Sequence, residues 1–431
     1  MPRSFRKLDW PRILPPALIL SLSFSLVVLL APAATAQTFK VIHDFSGGAD
    51  GANPYTGLTP AAPGLFYGTA YSGGAGGQGI VFSLTQLGNN WSLTPLYNFK
   101  GGTDGAQPFA ALTIGPDDVP YGTTENGGGF ACNGLGCGTV YSLHPSPTIC
   151  KTVNCPWKET QLVQFQGGLD GGDPYGALIF DQAGNIYGTT QVGGTSQQCL
   201  PQGVGCGTAY MLTRSGNSWN KTVLWNFGQA RGGIEPFNGL VMDKSGNLYG
   251  TTFVGGQQGE GTVYELTNSQ FGWTENDIYT FTGGNDGGLP YVGLIFDKAG
   301  NLYGAASDAG PGAGGTVFEL TPVGSNWNYS VLYGLTNPGS AECGPFGTLL
   351  MDSAGNLYGT TRCDGAYHGG SVFKLTRNGN SWAYSTLHDF TGLADGGSPY
   401  SSLVFGSDGN IYGTASRGGA YSEGVIFQIT P

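Results

Sequence analysis

"GNLYGTTFVGG", residues Gly246 to Gly256, has the pattern of a strand leaving a tight turn, and the chain nearly copies it elsewhere. The copies are "GNIYGTTQVGG" from Gly184, "GNLYGAASDAG" from Gly300, "GNLYGTTRCDG" from Gly355 and "GNIYGTASRGG" from Gly409. Aligning on the aromatic of this phrase gives Tyr67, Tyr121, Tyr187, Tyr249, Tyr303, Tyr358 and Tyr412, with steps of 54, 66, 62, 54, 55 and 54 residues. A proline followed by an aromatic keeps the same steps, at Tyr55, Phe109, Tyr175, Phe237, Tyr291, Phe346 and Tyr400. Seven units therefore run without gaps, and self-similarity at a fixed period outranks every other fold signal.

Each unit holds four strand-like runs. In the fourth they are "FNGLVMD", "NLYGTTF", "GTVYELT" and "WTENDIYTF", separated by glycine or Asx turns such as "DKSGN" (Asp243 to Asn247). The last three alternate apolar with polar residues or are rich in β-branched ones, and no segment keeps a helical period. The fold class is all-β. Four antiparallel strands at this pitch suit a seven-bladed β-propeller better than a solenoid, whose coils are far shorter. The phase of the two ends predicts how the ring closes. "FKVIHDF" (Phe39 to Phe45) reads as a lone fourth strand and "GVIFQIT" (Gly424 to Thr430) as a third. The N-terminal strand is expected to complete the last blade and cover an edge that would otherwise invite pairing.

The first 36 residues stand apart. Arg3, Arg6, Lys7 and Arg12 give a basic start, Ala17 to Leu30 is an apolar run, and Ala34 to Ala36 precede Gln37. That is the layout of a secretory signal peptide. The expectation is a mature chain of residues 37–431, one propeller domain, secreted to the periplasm or beyond, without a membrane span. It keeps 13 basic and 27 acidic side chains, a net charge of −14, which argues against nucleic acid as a partner.

Eight cysteines suit an oxidising compartment. They fall as Cys132/Cys137, Cys150/Cys155, Cys199/Cys206 and the more distant Cys343/Cys363, the first six inside the two long repeats. The first three pairs lack both the C-x2-C form and a nearby histidine, so local disulfides are favoured over zinc.

The repeat resembles the GloVer tandem-repeat family of bacterial exported proteins, whose unit reads much like "GLIFDKAGNLYGTT" followed by "GTVFELT", over nearly all of residues 38–431. The "GNLYGTT" strand is also similar to its counterpart in NHL-type propellers. The resemblance implies a propeller-like exported protein and no established catalytic residues.

Candidate chemistry gathers on the face where the loop before the first strand and the loop after the second both open. Asp50, Asp104, Asp170, Asp286 and Asp395 recur in "DG" turns there. They could hold calcium, which wants several oxygen ligands, but one carboxylate per loop fits a turn better. Tyr55, Phe109, Tyr175, Phe237, Tyr291, Phe346 and Tyr400 could stack on sugar rings, although a residue repeated in every blade is first a packing wedge. Copies that break the pattern draw more interest: Arg231 and Glu235 in the fourth unit, Glu342 and Cys343 in the sixth. His43 and His388 share a slot that Tyr97, Trp225, Tyr279 and Tyr333 fill in other units, and read as strand fillers. No nucleophile elbow, phosphate loop or metal triad is present. The reading is a monomeric, non-catalytic binding module for an extracellular glycan or protein, requiring no cofactor. A polysaccharide-degrading enzyme and a structural envelope protein are the alternatives.

Overall fold

Four of the repeats turn on an aspartate. Oδ1 of Asp243 accepts the backbone N–H groups of Ser245 (2.8 Å) and Asn247 (2.9 Å), while Oδ2 accepts Nδ2 of Asn247 (2.9 Å) and lies 3.3 Å from the Tyr249 hydroxyl. Gly246 supplies the left-handed residue at φ 85°, which a Cβ would oppose. Asp181, Asp297 and Asp352 repeat the set with their own asparagine and tyrosine. The asparagine and tyrosine of the repeated phrase are thus held by the residue that begins the turn.

The computed structural model describes residues 37–145, 157–196, 198–199, 205–229, 232–336, 343–379 and 381–431. These form seven four-stranded antiparallel sheets in a ring, a seven-bladed β-propeller, with two short two-stranded ribbons and one 3-10 turn at Gly168–Asp170. Blade four runs Val241–Met242, Leu248–Thr252, Thr262–Ser269 and Gly272–Thr280, from first strand to fourth. The closure expected from the sequence is present. Thr38–Asp44 pairs antiparallel with Val425–Thr430, Phe39 opposite Ile429 and Val41 opposite Phe427, as the fourth strand of the last blade.

Seven apolar clusters, each shared by two adjacent blades, form the core. Phe45, Phe82 and Tyr412 meet between the last blade and the first, and all three are almost wholly buried. Most burial is therefore between blades, so a blade cannot bury its faces alone.

A glycine inside a strand marks a close approach, and after this tyrosine the approach expected from the repeat is between neighbouring sheets where blades converge. The structure corrects this: the glycine makes room inside its own blade. Gly359 pairs with Phe373 on the third strand, and a Cβ on Gly359 would lie 2.5 Å from the Phe373 ring. Gly68 with Phe82 and Gly413 with Phe427 repeat the arrangement. The two threonines that follow have separate tasks. The first staples one blade to the next: Thr251 donates to the Val292 carbonyl at 3.0 Å, Thr360 to Ser401 at 2.9 Å, and Thr414 to Thr56 at 2.8 Å across the closure. The second ties strands two and three, as in Thr252 with Thr262 at 3.0 Å.

Candidate functional site

Alternating strand direction brings the loop before each first strand and the loop after each second strand to one face. There the seven aromatics that follow proline close a ring around the axis. Tyr55 and Phe109, Tyr175 and Phe237, and Tyr291 and Phe346 are stacked pairs with centroids 5.3, 4.6 and 4.6 Å apart. Edge contacts join them: Phe109 to Tyr175 at 4.9 Å, Phe237 to Tyr291 at 5.1 Å, Phe346 to Tyr400 at 5.0 Å and Tyr400 to Tyr55 at 5.2 Å. Both geometries are favourable for ring quadrupoles. Seven is odd, so the alternation of stack and edge breaks at Tyr400, which meets both neighbours edge-on. There the Arg362 guanidinium lies 5.3 Å from the Tyr400 centroid and 5.5 Å from that of Phe346, within cation–π range. The ring surrounds a cavity of ≈ 280 Å³, whose wall also includes Asn238, Thr348, Ser402 and Arg362. All seven predicted aromatics are brought together, as wedges and as cavity lining at once.

Two further slots crown the ring. The residue before each proline is Asn53, Gln107, Asp173, Glu235, Leu289 or Ser398, all with φ between 51° and 59°, and Gly344 in the sixth blade. Such a conformation in a non-glycine residue costs about 1–3 kcal/mol and persists only where the surroundings impose it. They do so by the backbone: Glu235 N–H donates to the Cys206 carbonyl (2.9 Å) and the Glu235 carbonyl accepts from Phe253 N–H (3.0 Å), a pattern repeated at Asp173 with Cys137 and Gln191. The second slot follows the "YGTT" strand and holds Tyr71, Glu125, Gln191, Phe253, Ser307, Arg362 and Ser416. The frame is constant in both slots while the side-chain chemistry changes.

That change is polarised. Glu125, Asp173 and Glu235 lie along blades two to four, with Arg362 on the sixth. Burial, and then the neighbouring Glu125 carboxylate, push the Asp173 carboxyl up to about 6. Burial, and then Glu125, also raise the hydroxyls of Tyr71 and Tyr175. Gln191 Nε2 donates to Glu235 at 3.2 Å. Of the irregular residues singled out from the sequence, Glu235 belongs to this crown, whereas Arg231 and Glu342 lie outside the described residues. Sequence reasoning missed Glu125, Asp173 and Arg362, although comparing the seven copies slot by slot would have shown them.

The five recurring aspartates sit apart from the ring and serve their own turns. Asp286 accepts the Thr282 N–H (2.9 Å), the Thr282 hydroxyl and the Tyr279 hydroxyl (2.9 Å). Asp50 and Asp395 do the same with Ser46 and Thr391, and receive His43 and His388 at 3.2 and 3.1 Å. Asp104 takes Lys100 N–H and Tyr97, and Asp170 takes Gln166 N–H and Lys221. The histidine slot is therefore more than filler: a β-bulge just before it, at the step from Val41 to His43, re-aims its side chain onto the aspartate. Among the described residues no group of three or more His, Cys, Asp or Glu is placed to hold a metal ion.

Disulfides join Cys132 to Cys137, Cys199 to Cys206 and Cys343 to Cys363. Cys150 and Cys155 lie outside the described residues. The Cys343–Cys363 bridge links the two loops of the sixth blade that carry Phe346 and Arg362.

Fold and mouth together define a propeller with an aromatic-rimmed axial cavity. The chain belongs to the Gloeobacter/Verrucomicrobia repeat family, which it matches over residues 27–154, 136–337 and 275–431. A search of curated proteins gives no match. Among solved structures, a putative 6-phosphogluconolactonase from Bacteroides uniformis is 12% identical over 87% of this chain and 99% of its own, with a TM-score of 0.50. A putative oxidoreductase (glucose dehydrogenase) from Thermus thermophilus is 16% identical over 75% and 96%, with a TM-score of 0.42. A polysaccharide lyase PL25, an ulvan lyase, is 12% identical over 89% and 94%, with a TM-score of 0.48. At such identities the likeness concerns the fold alone.

Proposed function

We propose that this protein is an exported, non-catalytic binding module that takes an extracellular glycan or protein segment at its axial mouth. One observation carries the reading: a closed ring of seven aromatics around a cavity, crowned by residues whose chemistry breaks the sevenfold symmetry. An apolar, concave site with a few convergent polar groups is where a ligand gains most. The frame itself does not need the carboxylates or the arginine of the crown. Three disulfides among the described residues, and no described helix long and apolar enough to cross a membrane, agree with an exported protein.

The test is co-sedimentation of the mature chain with a panel of insoluble polysaccharides, with calcium and with chelator. Retention that falls in Tyr175→Ala, with the melting temperature checked, supports the mouth. Because the turn aspartates are already committed to hydrogen bonds, retention is expected to be indifferent to chelator. Retention unaffected by substitutions at Tyr175, Glu125 and Arg362 would overturn the assignment.

A second reading rests on Asp173. A carboxyl near 6 beside another carboxylate is suited to proton transfer, so glycan cleavage at the same mouth is the alternative. Reducing ends released by the wild type and not by Asp173→Asn would establish it.

A further inference from the structure

On the face opposite the mouth, a cleft of ≈ 440 Å³ opens between blades four and five. Its wall is aromatic. Phe296 and Trp327 meet the Tyr249 ring edge-on with centroids 5.3 and 5.8 Å away, and Pro322 continues the surface. Its rim is the two aspartate turns, each carrying a lysine directly after the aspartate, Lys244 and Lys298.

The charges at this rim are not equivalent. Asp243 and Asp297 each accept two backbone N–H groups and an asparagine amide, which engages them within their turns, while the hydroxyl protons of Tyr249 and Tyr303 go to Glu265 at 2.5 Å and Glu319 at 2.7 Å. Lys244 and Lys298 are exposed, and among the described residues neither has an ion pair. The seven copies show what is special to this seam. The tyrosine–tryptophan wall recurs as Tyr67 with Trp157, Tyr187 with Trp273 and Tyr412 with Trp91. The lysine does not: the corresponding turn residue is Gln182 in blade three, Ser353 in blade six and Ser407 in blade seven. A neutral sugar would suit several seams equally. Asp243 and Asp297 offset the two lysines, so the rim is neutral overall. Those carboxylates are engaged by their own turns, however, and the two exposed ammonium groups are what a ligand oxyanion meets, lysine serving well as a point charge for one.

We propose that this cleft binds an anionic sugar unit, its pyranose ring against the half-buried Phe296 and Trp327 and its carboxylate or sulfate between Lys244 and Lys298. The inference is independent of the mouth. It also runs against the protein's net charge, since the mature chain at −14 repels polyanions overall, so any retention must be local.

The experiment is affinity electrophoresis of the mature chain through polygalacturonate, dextran sulfate and neutral dextran. Retardation by polygalacturonate identifies a uronate and retardation by dextran sulfate a sulfate ester. The double variant Lys244→Gln/Lys298→Gln is expected to lose about tenfold in affinity for the retarding polymer, the scale of one charged hydrogen bond. Its melting temperature should match the wild type, as both side chains are on the surface. Tyr175→Ala, at the mouth, should leave this retardation intact. Three results would overturn the proposal: no retardation by either polyanion, equal retardation by dextran, or a double variant that binds like the wild type. Loss of retardation in Tyr175→Ala would also overturn it, by moving the site to the mouth.

Discussion

Tyr400 meets Tyr55 edge-on, ring centroids 5.2 Å apart, across the seam where the last repeat closes on the first. The same seam carries the Thr414–Thr56 staple and the cluster of Phe45, Phe82 and Tyr412. Neither the axial cavity nor the outer wall is complete until the ends of the chain have met.

Closure is therefore the first thing to break. Phe39, on the N-terminal strand, stacks on His388 at 3.6 Å and lies 5.6 Å from Phe427. Phe39→Ala is expected to destabilise by about 2–4 kcal/mol, slightly less than a fully buried phenylalanine. Deleting residues 37–45 should expose the outer edge of Val425–Thr430 and abolish a single cooperative melt. Urea unfolding followed by tryptophan fluorescence measures both, and an unchanged midpoint after the deletion would refute the closure.

The aromatic lying on glycine inside each blade can be tested by coupling. Gly359→Ala places a methyl 2.5 Å from the Phe373 ring and should cost about 1–3 kcal/mol through overpacking. Phe373→Leu removes the clash along with the ring. The double variant is then expected to be less unstable than the two single losses added together, a departure from additivity that a double-mutant cycle reads directly. Additive losses would mean that the glycine serves something else.

These examples show what the residues alone could disclose. Seven copies of "YGT" and of proline–aromatic disclosed blade number, strand order and closure, because periodic patterning is a property of the sequence itself. The mouth was half legible: the aromatics stood out by repetition, and repetition made them look like packing. Whether a wedge also lines a cavity depends on ring orientation, which spacing does not encode. Glu125, Asp173 and Arg362 escaped because each is a single departure in a slot whose importance comes from the left-handed backbone before the proline and a shared backbone hydrogen bond. The glycine was misread because its partner, Phe373 or Tyr264, lies on the neighbouring strand and is paired through register.

Buried carboxyls set the pH response. Burial first, and then Asp104, hold Glu159 up at about 7; burial and Glu125 hold Asp173 up at about 6. Groups whose folded pKa exceeds the unfolded value bind protons more tightly when folded, so stability is lost as pH rises through the window from about 4 to 7. His43 and His388 act oppositely, since burial lowers them despite Asp50 and Asp395 and they oppose acidification. Comparing each variant with the wild type at every pH separates the two. Asp173→Asn and Glu159→Gln should each gain about 1–2 kcal/mol over wild type at pH 8, after discounting for partial solvent exposure, and nothing at pH 4. A gain of the same size at both pH values would show that charge is not the cause.

The disulfides differ in what they constrain. Cys343–Cys363 spans 20 residues and ties the loop bearing Phe346 to the loop bearing Arg362, whereas Cys132–Cys137 and Cys199–Cys206 span 5 and 7 residues within single loops. If closure of the unfolded loop dominates, removing the long bridge costs about 3 kcal/mol and each short one about 2. Among the described bridges only the long one ties two mouth loops to each other, so Cys343→Ser/Cys363→Ser should also weaken ligand retention there, while Cys132→Ser/Cys137→Ser, which keeps the Cys137 carbonyl that holds Asp173, should mainly lower the melting temperature. Retention is compared well below each variant's melting transition, so that a loosened arginine is not confused with an unfolded chain. Equal loss of retention in both variants would show that Arg362 is positioned by its strand rather than by the bridge.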